Sequence, residues 1–120
     1  MSCLFHSLGQ LLKIPTDTVR QTICDYLEAN QPILEGMSTA DILAMDRPDY
    51  VQQMRNAYAW GGAIEIQAAA NLWKARILVD NRRDPNRTVI EFLPISQTQE
   101  KTLHIYWTGG HYEPISKSVE

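Results

Sequence analysis

The spacing of apolar residues changes partway along the chain, and that change restricts the fold more than any other feature. Up to about residue 72 the apolar side chains recur every three or four positions, the period of a helix buried along one face. From residue 76 they run together or alternate, as they do in strands. Helices first and strands afterwards predict an α+β domain, with helices packed on a small, mostly antiparallel sheet. With 120 residues and 44% hydrophobic side chains, the chain can build one core and has no room for two.

Local signals divide the two halves. Leu4, Leu8, Leu11 and Leu12 predict a first helix, closed at Ile14-Pro15 because proline disfavours helical backbone in the residue before it. Thr16 is the expected N-cap of a second helix, with Asp17 at the positive end of its dipole. Val19, Ile23, Tyr26 and Leu27 form its stripe, and Asn30-Gln31-Pro32 closes it. Ser38 caps a short helix through Met45. Asp46, with Pro48 just inside, opens another that carries Tyr50, Met54 and Tyr58. Trp60-Gly61-Gly62 breaks the pattern. A helix then starts at Gly62-Ala63-Ile64-Glu65, with Ile64, Ala68 and Leu72 on one face. Strands are expected over residues 76–80, 88–95 and 103–107, and a short one begins at His111 after Gly109-Gly110.

Charge and composition exclude several classes. Eleven basic against fourteen acidic residues give a net charge of −3, which argues against nucleic acid as a partner. No apolar stretch is long enough to span a membrane. The first residues lack the basic start of a secretory leader, and Ser2 in place of glycine excludes myristoylation. Two cysteines make no disulfide framework, so both are expected reduced, in a cytoplasmic compartment. Neither a zinc-ligand spacing nor a phosphate-binding glycine loop occurs, so no metal and no cofactor are expected.

Chemistry then rests on a few side chains. Cys3 opens a helix, where unpaired N–H groups and the dipole favour the nucleophilic thiolate; the plain alternative is a small buried hydrophobe. Cys24 lies mid-helix by the apolar stripe and reads as core. A cysteine nucleophile needs a base. His6 shares the helix of Cys3, and His104 sits inside an alternating strand, where a packed histidine is expected. His111, after a glycine pair, is the best-placed base. Glu113 lies two residues on, on the same face of a strand, and could orient the ring; it could equally be an exposed glutamate before Pro114. Arg82, Arg83 and Arg87 make a basic turn, either simply solvated or facing an acidic partner surface. Trp60, Trp73 and Trp107 read as core or rim packing.

Three blocks, in order, resemble the ovarian-tumour (OTU) family of cysteine proteases. Cys3-Leu4-Phe5-His6-Ser7-Leu8 is similar to its nucleophile block, Trp60-Gly61-Gly62-Ala63-Ile64-Glu65-Ile66 to its central block, and Gly110-His111-Tyr112 to its terminal histidine block. The close run of the middle block resembles that of virus-encoded or other compact members. The resemblance implies a papain-like fold and hydrolysis of the isopeptide bond after the last glycine of ubiquitin or a ubiquitin-like protein. It implies Cys3, His111 and Glu113 as catalytic residues and Trp60, Gly61, Gly62 and Tyr112 as substrate-binding residues, in a monomer without metal or cofactor. Two departures stand out. The family's Asp-Gly-x before the cysteine would fall ahead of Met1, so the single domain over residues 1–120 is expected to be truncated at its N-terminus. Glu113 stands where members that place the third catalytic group two residues after the histidine usually have Asp or Asn. The alternatives are a catalytically impaired ubiquitin-binding module of the same fold, or an unrelated α+β interaction domain.

Overall fold

A computed structural model describes residues 3–115. Met1 and Ser2, on which the leader and myristoylation readings fall, lie outside the described residues, as do residues 116–120. Among the described residues five helices precede four strands: α1 Cys3–Leu12, α2 Thr16–Glu28, α3 Thr39–Asp46, α4 Tyr50–Met54, α5 Ala63–Trp73, then β1 Ala75–Asn81, β2 Val89–Phe92, β3 Lys101–Trp107 and β4 Tyr112–Pro114. The α+β expectation holds.

The sheet has the order β2-β1-β3-β4. Two of its pairings, β1 with β2 and β3 with β4, are antiparallel. The central pair, β1 with β3, is parallel, with Ile77 opposite Leu103 and Val79 opposite Ile105. After β2 the chain returns to the starting end of β1, where the Glu100 N–H bonds the Lys74 carbonyl at 2.7 Å, and β3 leaves alongside β1 in the same direction. Ile77, Leu103 and Ile105 are buried under α1 and α5 with Leu4, Phe5, Leu8 and Ile66, and α2 packs on those two helices, adding Ile23 and Leu27 to the same core. Ala68, Ala69 and Ala70 are fully buried, so α5 lies close against its neighbours.

Several boundaries differ from the sequence expectation. Pro15, not Thr16, occupies the cap position of α2; its carbonyl accepts the Val19 N–H at 3.0 Å. Asp46 ends α3 rather than opening the next helix. Arg47 is extended, and Pro48 follows it without an N–H to continue the ladder. The next helix is therefore only Tyr50–Met54, and Tyr58 lies outside it, exposed. β2 stops at Phe92 instead of residue 95. Pro94 cannot donate to a ladder, and the Ile95 N–H goes to Asn71 Oδ1 at 2.9 Å.

Candidate active site

α1 presents Cys3 as its first helical residue. Leu4 and Phe5 are 1% and 0% exposed, and with Leu8 they root this end of the helix in the core. Cys3 is left half-buried at the edge of that core. Its carbonyl accepts the Ser7 hydroxyl at 2.7 Å. Its sulfur accepts a hydrogen bond from the backbone N–H of Tyr112 in β4, at 3.5 Å. The first helix and the last strand thus meet at this sulfur.

His111 stands directly before β4, behind a tight turn. The Thr108 N–H donates to the His111 carbonyl at 3.0 Å. Closing that turn requires φ +109° at residue 109, where only glycine is unstrained. Glu113 points back at the ring and its carboxylate pairs with His111 Nε2. The i, i+2 spacing anticipated this contact, and it leaves Nδ1 as the other ring nitrogen. Among the described residues Cys3 and His111 share no hydrogen bond; the partner of the sulfur is the Tyr112 amide.

Cys3, Trp60, Gly61, Trp107, Gly109, Gly110 and Tyr112 line one cleft of about 220 Å³. Trp60 is 60% exposed and forms its rim. Gly61 is needed for close approach: a Cβ there would lie 2.7 Å from Leu4 Cδ2 and 3.0 Å from Phe5 Cζ. The 60–62 segment can therefore lie directly on the root of α1. Gly62, beyond the cleft, caps α5 and faces an adjoining hollow that also reaches Trp60, Tyr50 and Glu65. The remaining candidates lie elsewhere. His6 is exposed, with Nδ1 3.4 Å from Thr16 Oγ1. His104 is half-buried in β3, its Nε2 enclosed and without a hydrogen-bond partner among the described residues. Cys24 is buried, and burial pushes its thiol up to about 11, far from reactivity at neutral pH.

Two buried polar residues support the site, and the sequence reading passed over their role. Glu65 is 1% exposed. One carboxylate oxygen accepts the Gly62 N–H at 2.7 Å, the other the Tyr50 hydroxyl at 2.6 Å. Burial raises the Glu65 carboxyl above its ordinary pKa, and these two hydrogen bonds oppose the rise. Tyr50 is raised too, first by burial and then by the neighbouring carboxylate. The Trp60-Gly61-Gly62 segment is thus tied to α4 through one glutamate. Arg20, also 1% exposed, donates to the carbonyls of Met54 at 2.6 Å, Ala59 at 3.0 Å and Ala57 at 3.3 Å. Its guanidinium lies 4.3 Å from the centre of the Phe5 ring. One side chain therefore joins α2, the loop leading to Trp60 and the root of the Cys3 helix. Its position in sequence, one turn before Ile23 and Cys24, was the available signal that an arginine faces the core.

Comparison with known proteins points the same way. The chain is 29% identical over 95% of its length to ubiquitin thioesterase otu2 of Schizosaccharomyces pombe, and covers 42% of that protein. It is 30% identical over 95% of its length to OVARIAN TUMOR DOMAIN-containing deubiquitinating enzyme 9 of Arabidopsis thaliana, and covers 32% of it. The chain therefore spans less than half the length of these curated relatives. Among solved structures, an ovarian tumour (OTU) domain in complex with ubiquitin superposes with a TM-score of 0.73 at 23% identity, over 94% of this chain and 62% of that one. The family model described as OTU-like cysteine protease matches residues 2–112, nearly the whole described chain. By that match, and with a helix-start cysteine meeting the last strand directly after a histidine, the chain belongs to the OTU-like cysteine protease family.

Proposed function

We propose that the chain is a cysteine-dependent deubiquitinase, a thiol hydrolase that cleaves the isopeptide bond after the C-terminal glycine of ubiquitin or a ubiquitin-like protein. In this reading it acts as a monomer in the cytoplasm and needs no cofactor. The observation that carries the proposal is the junction of α1 and β4, where the Tyr112 N–H meets Cys3 Sγ beside a histidine paired with a carboxylate.

Each residue then has a task. With Nε2–H donated to Glu113, His111 keeps the lone pair on Nδ1, the nitrogen that takes the thiol proton. Cys3 Sγ attacks the glycine carbonyl carbon. The C–N bond breaks as His111 returns the proton to the departing lysine amine, leaving a thioester on Cys3. Water, losing its proton to His111, attacks the thioester carbonyl and frees the carboxylate and the thiol. Cys3, Trp60, Trp107 and Tyr112 share the lining of a slot with Gly61, Gly109 and Gly110. Such a slot suits a tail ending in glycines, which carry no side chain to collide.

The second reading, a ubiquitin-binding module without hydrolysis, draws on one observation: the hydrogen bond to the sulfur comes from the Tyr112 amide and not from the His111 ring. Ubiquitin bearing a C-terminal electrophile separates the two. Covalent capture by the wild type and by Cys24→Ala, with none by Cys3→Ala, is the expected result. Turnover should vanish in His111→Ala and survive in His6→Ala and His104→Ala. Binding without capture favours the module. Cleavage by Cys3→Ala at the wild-type rate would sink the nucleophile assignment.

A further inference from the structure

The turn between β1 and β2 carries three arginines, and two of them are occupied. Arg87 Nη2 lies 2.8 Å from Asp80 Oδ2, and Arg82 Nε lies 3.6 Å from the same oxygen. Arg82 also stacks on Tyr106, 3.7 Å from the ring centre. The turn's own acid, Asp84, accepts the Asn86 N–H at 3.0 Å and the Thr88 hydroxyl. Both nearby carboxylates are therefore engaged. Among the described residues, the Arg83 side chain has no hydrogen bond and no ion pair.

The backbone of the turn that carries Arg83 is held in place. The Arg82 N–H bonds the Trp107 carbonyl at 2.9 Å, the Arg83 N–H bonds Asn81 Oδ1 at 3.1 Å, and the Arg87 N–H bonds the Asp84 carbonyl at 2.9 Å. The side chain lies across Gly109: a Cβ on that glycine would come within 2.9 Å of Arg83 Cδ and 3.1 Å of Nη1. Gly109 lines the cleft that holds Cys3. An unpaired guanidinium thus lies beside Gly109, a cleft-lining residue two positions before His111.

We propose that Arg83 is a specificity-determining residue that pairs with a carboxylate of the substrate beside Gly109. The proposal rests on the reading of the cleft as the substrate channel. The chemistry fits a planar carboxylate, which can accept two parallel N–H bonds from a guanidinium. That carboxylate belongs either to ubiquitin or to the protein joined to it, and two substrates distinguish these sources: ubiquitin carrying a fluorogenic amine, and ubiquitin linked through an isopeptide bond to a protein.

Arg83→Met keeps the stem that packs on Gly109 and removes the charge. It should raise KM about two- to five-fold, the size of an exposed charge pair, with kcat unchanged. Arg83→Glu should raise KM further. Added salt should weaken the wild type and leave Arg83→Met nearly unaffected. A rise with both substrates assigns the carboxylate to ubiquitin, and a rise with the linked protein alone assigns it to the acceptor. Arg83→Met matching the wild type in KM and salt response, with only Arg83→Ala impaired, would reduce Arg83 to packing and overturn the proposal. If the wild type turns over neither substrate, the hydrolase reading fails. The same variants are then compared by their affinity for the linked conjugate in the Cys3→Ala background. Equal affinities, or no binding by the Arg83 parent, overturn the Arg83 assignment.

Discussion

Replacing Gly61 by alanine would put a methyl group where the structure has no room for one. The added carbon would sit 2.7 Å from Leu4 Cδ2 and 3.0 and 3.1 Å from Phe5 Cζ and Cε2, against a comfortable carbon–carbon separation of about 3.5–4.0 Å. Neither neighbour can swing away. Leu4 and Phe5 are fully buried, and the Phe5 ring is covered by the Arg20 guanidinium. Relief must come from shifting the 60–62 segment or the first turn of α1, and Cys3 immediately precedes Leu4 in that turn. Overpacking of this kind costs about 1–3 kcal/mol. In a domain of this size that is a fall of roughly 3–15 °C in Tm. Gly62→Ala is the control. A Cβ there meets nothing within 4 Å and its φ of −148° is ordinary extended backbone, so the change should stay within about 1 kcal/mol, the loss of a favourable cap residue. Thermal unfolding gives the stability. The rate of capture by the electrophilic ubiquitin, taken where both variants are folded, reads the position of the sulfur. Gly61→Ala should be slower than Gly62→Ala in that rate. If Gly61→Ala melts within a degree of the wild type and is captured as fast, the close approach at Gly61 does not hold the cysteine helix in place.

Two further outcomes follow from the geometry. The folded state holds the Glu65 proton more tightly than the unfolded state, so its contribution to stability is complete below the ordinary carboxylate pKa and is lost as pH rises through the raised folded value. Glu65→Gln, which can still accept from Gly62 and donate to Tyr50, should therefore gain on the wild type as pH goes from acid to neutral; parallel urea-midpoint curves for the two proteins would contradict this. Glu113→Gln should retain much of any turnover, since an amide oxygen still accepts the His111 N–H, whereas Glu113→Ala should lose more. Equal rates for the two variants would mean that the ring is oriented by something else.

Much of the fold was legible because burial imposes a period. Leu4 and Leu8, or Ile23 and Leu27, announce a helix face before any partner is known. The parallel pairing of β1 with β3 was not legible in the same way. It is set by where the segment between β2 and β3 returns the chain, and a strand's own residues carry no mark of its neighbour's direction. The end of β2 at Phe92 and the shortness of α4 turn on Pro94 and Pro48, both visible but outweighed by longer apolar runs. The meeting of His111 with Glu113 could be read from strand spacing. The Tyr112 amide on Cys3 could not, because a backbone group leaves no signature in residue identity. Arg20 and Glu65 were hidden for a related reason: charged residues are read as solvated, and only the carbonyls of the 54–59 segment and the Tyr50 hydroxyl reveal why these two are enclosed.

The hydrogen bond from Tyr112 to Cys3 joins residues 109 apart in sequence. On a ribosome the cysteine is made before its strand partner, and at about 5–20 residues per second several seconds separate the two. Over that interval the thiol is present without the strand that meets it and without the histidine just before that strand. Closing so long a loop also costs about 2 kcal/mol more chain entropy than closing one of ten residues. The contact therefore belongs to the late part of folding, and a nascent chain carries the Cys3 thiol before the strand that meets it has been made.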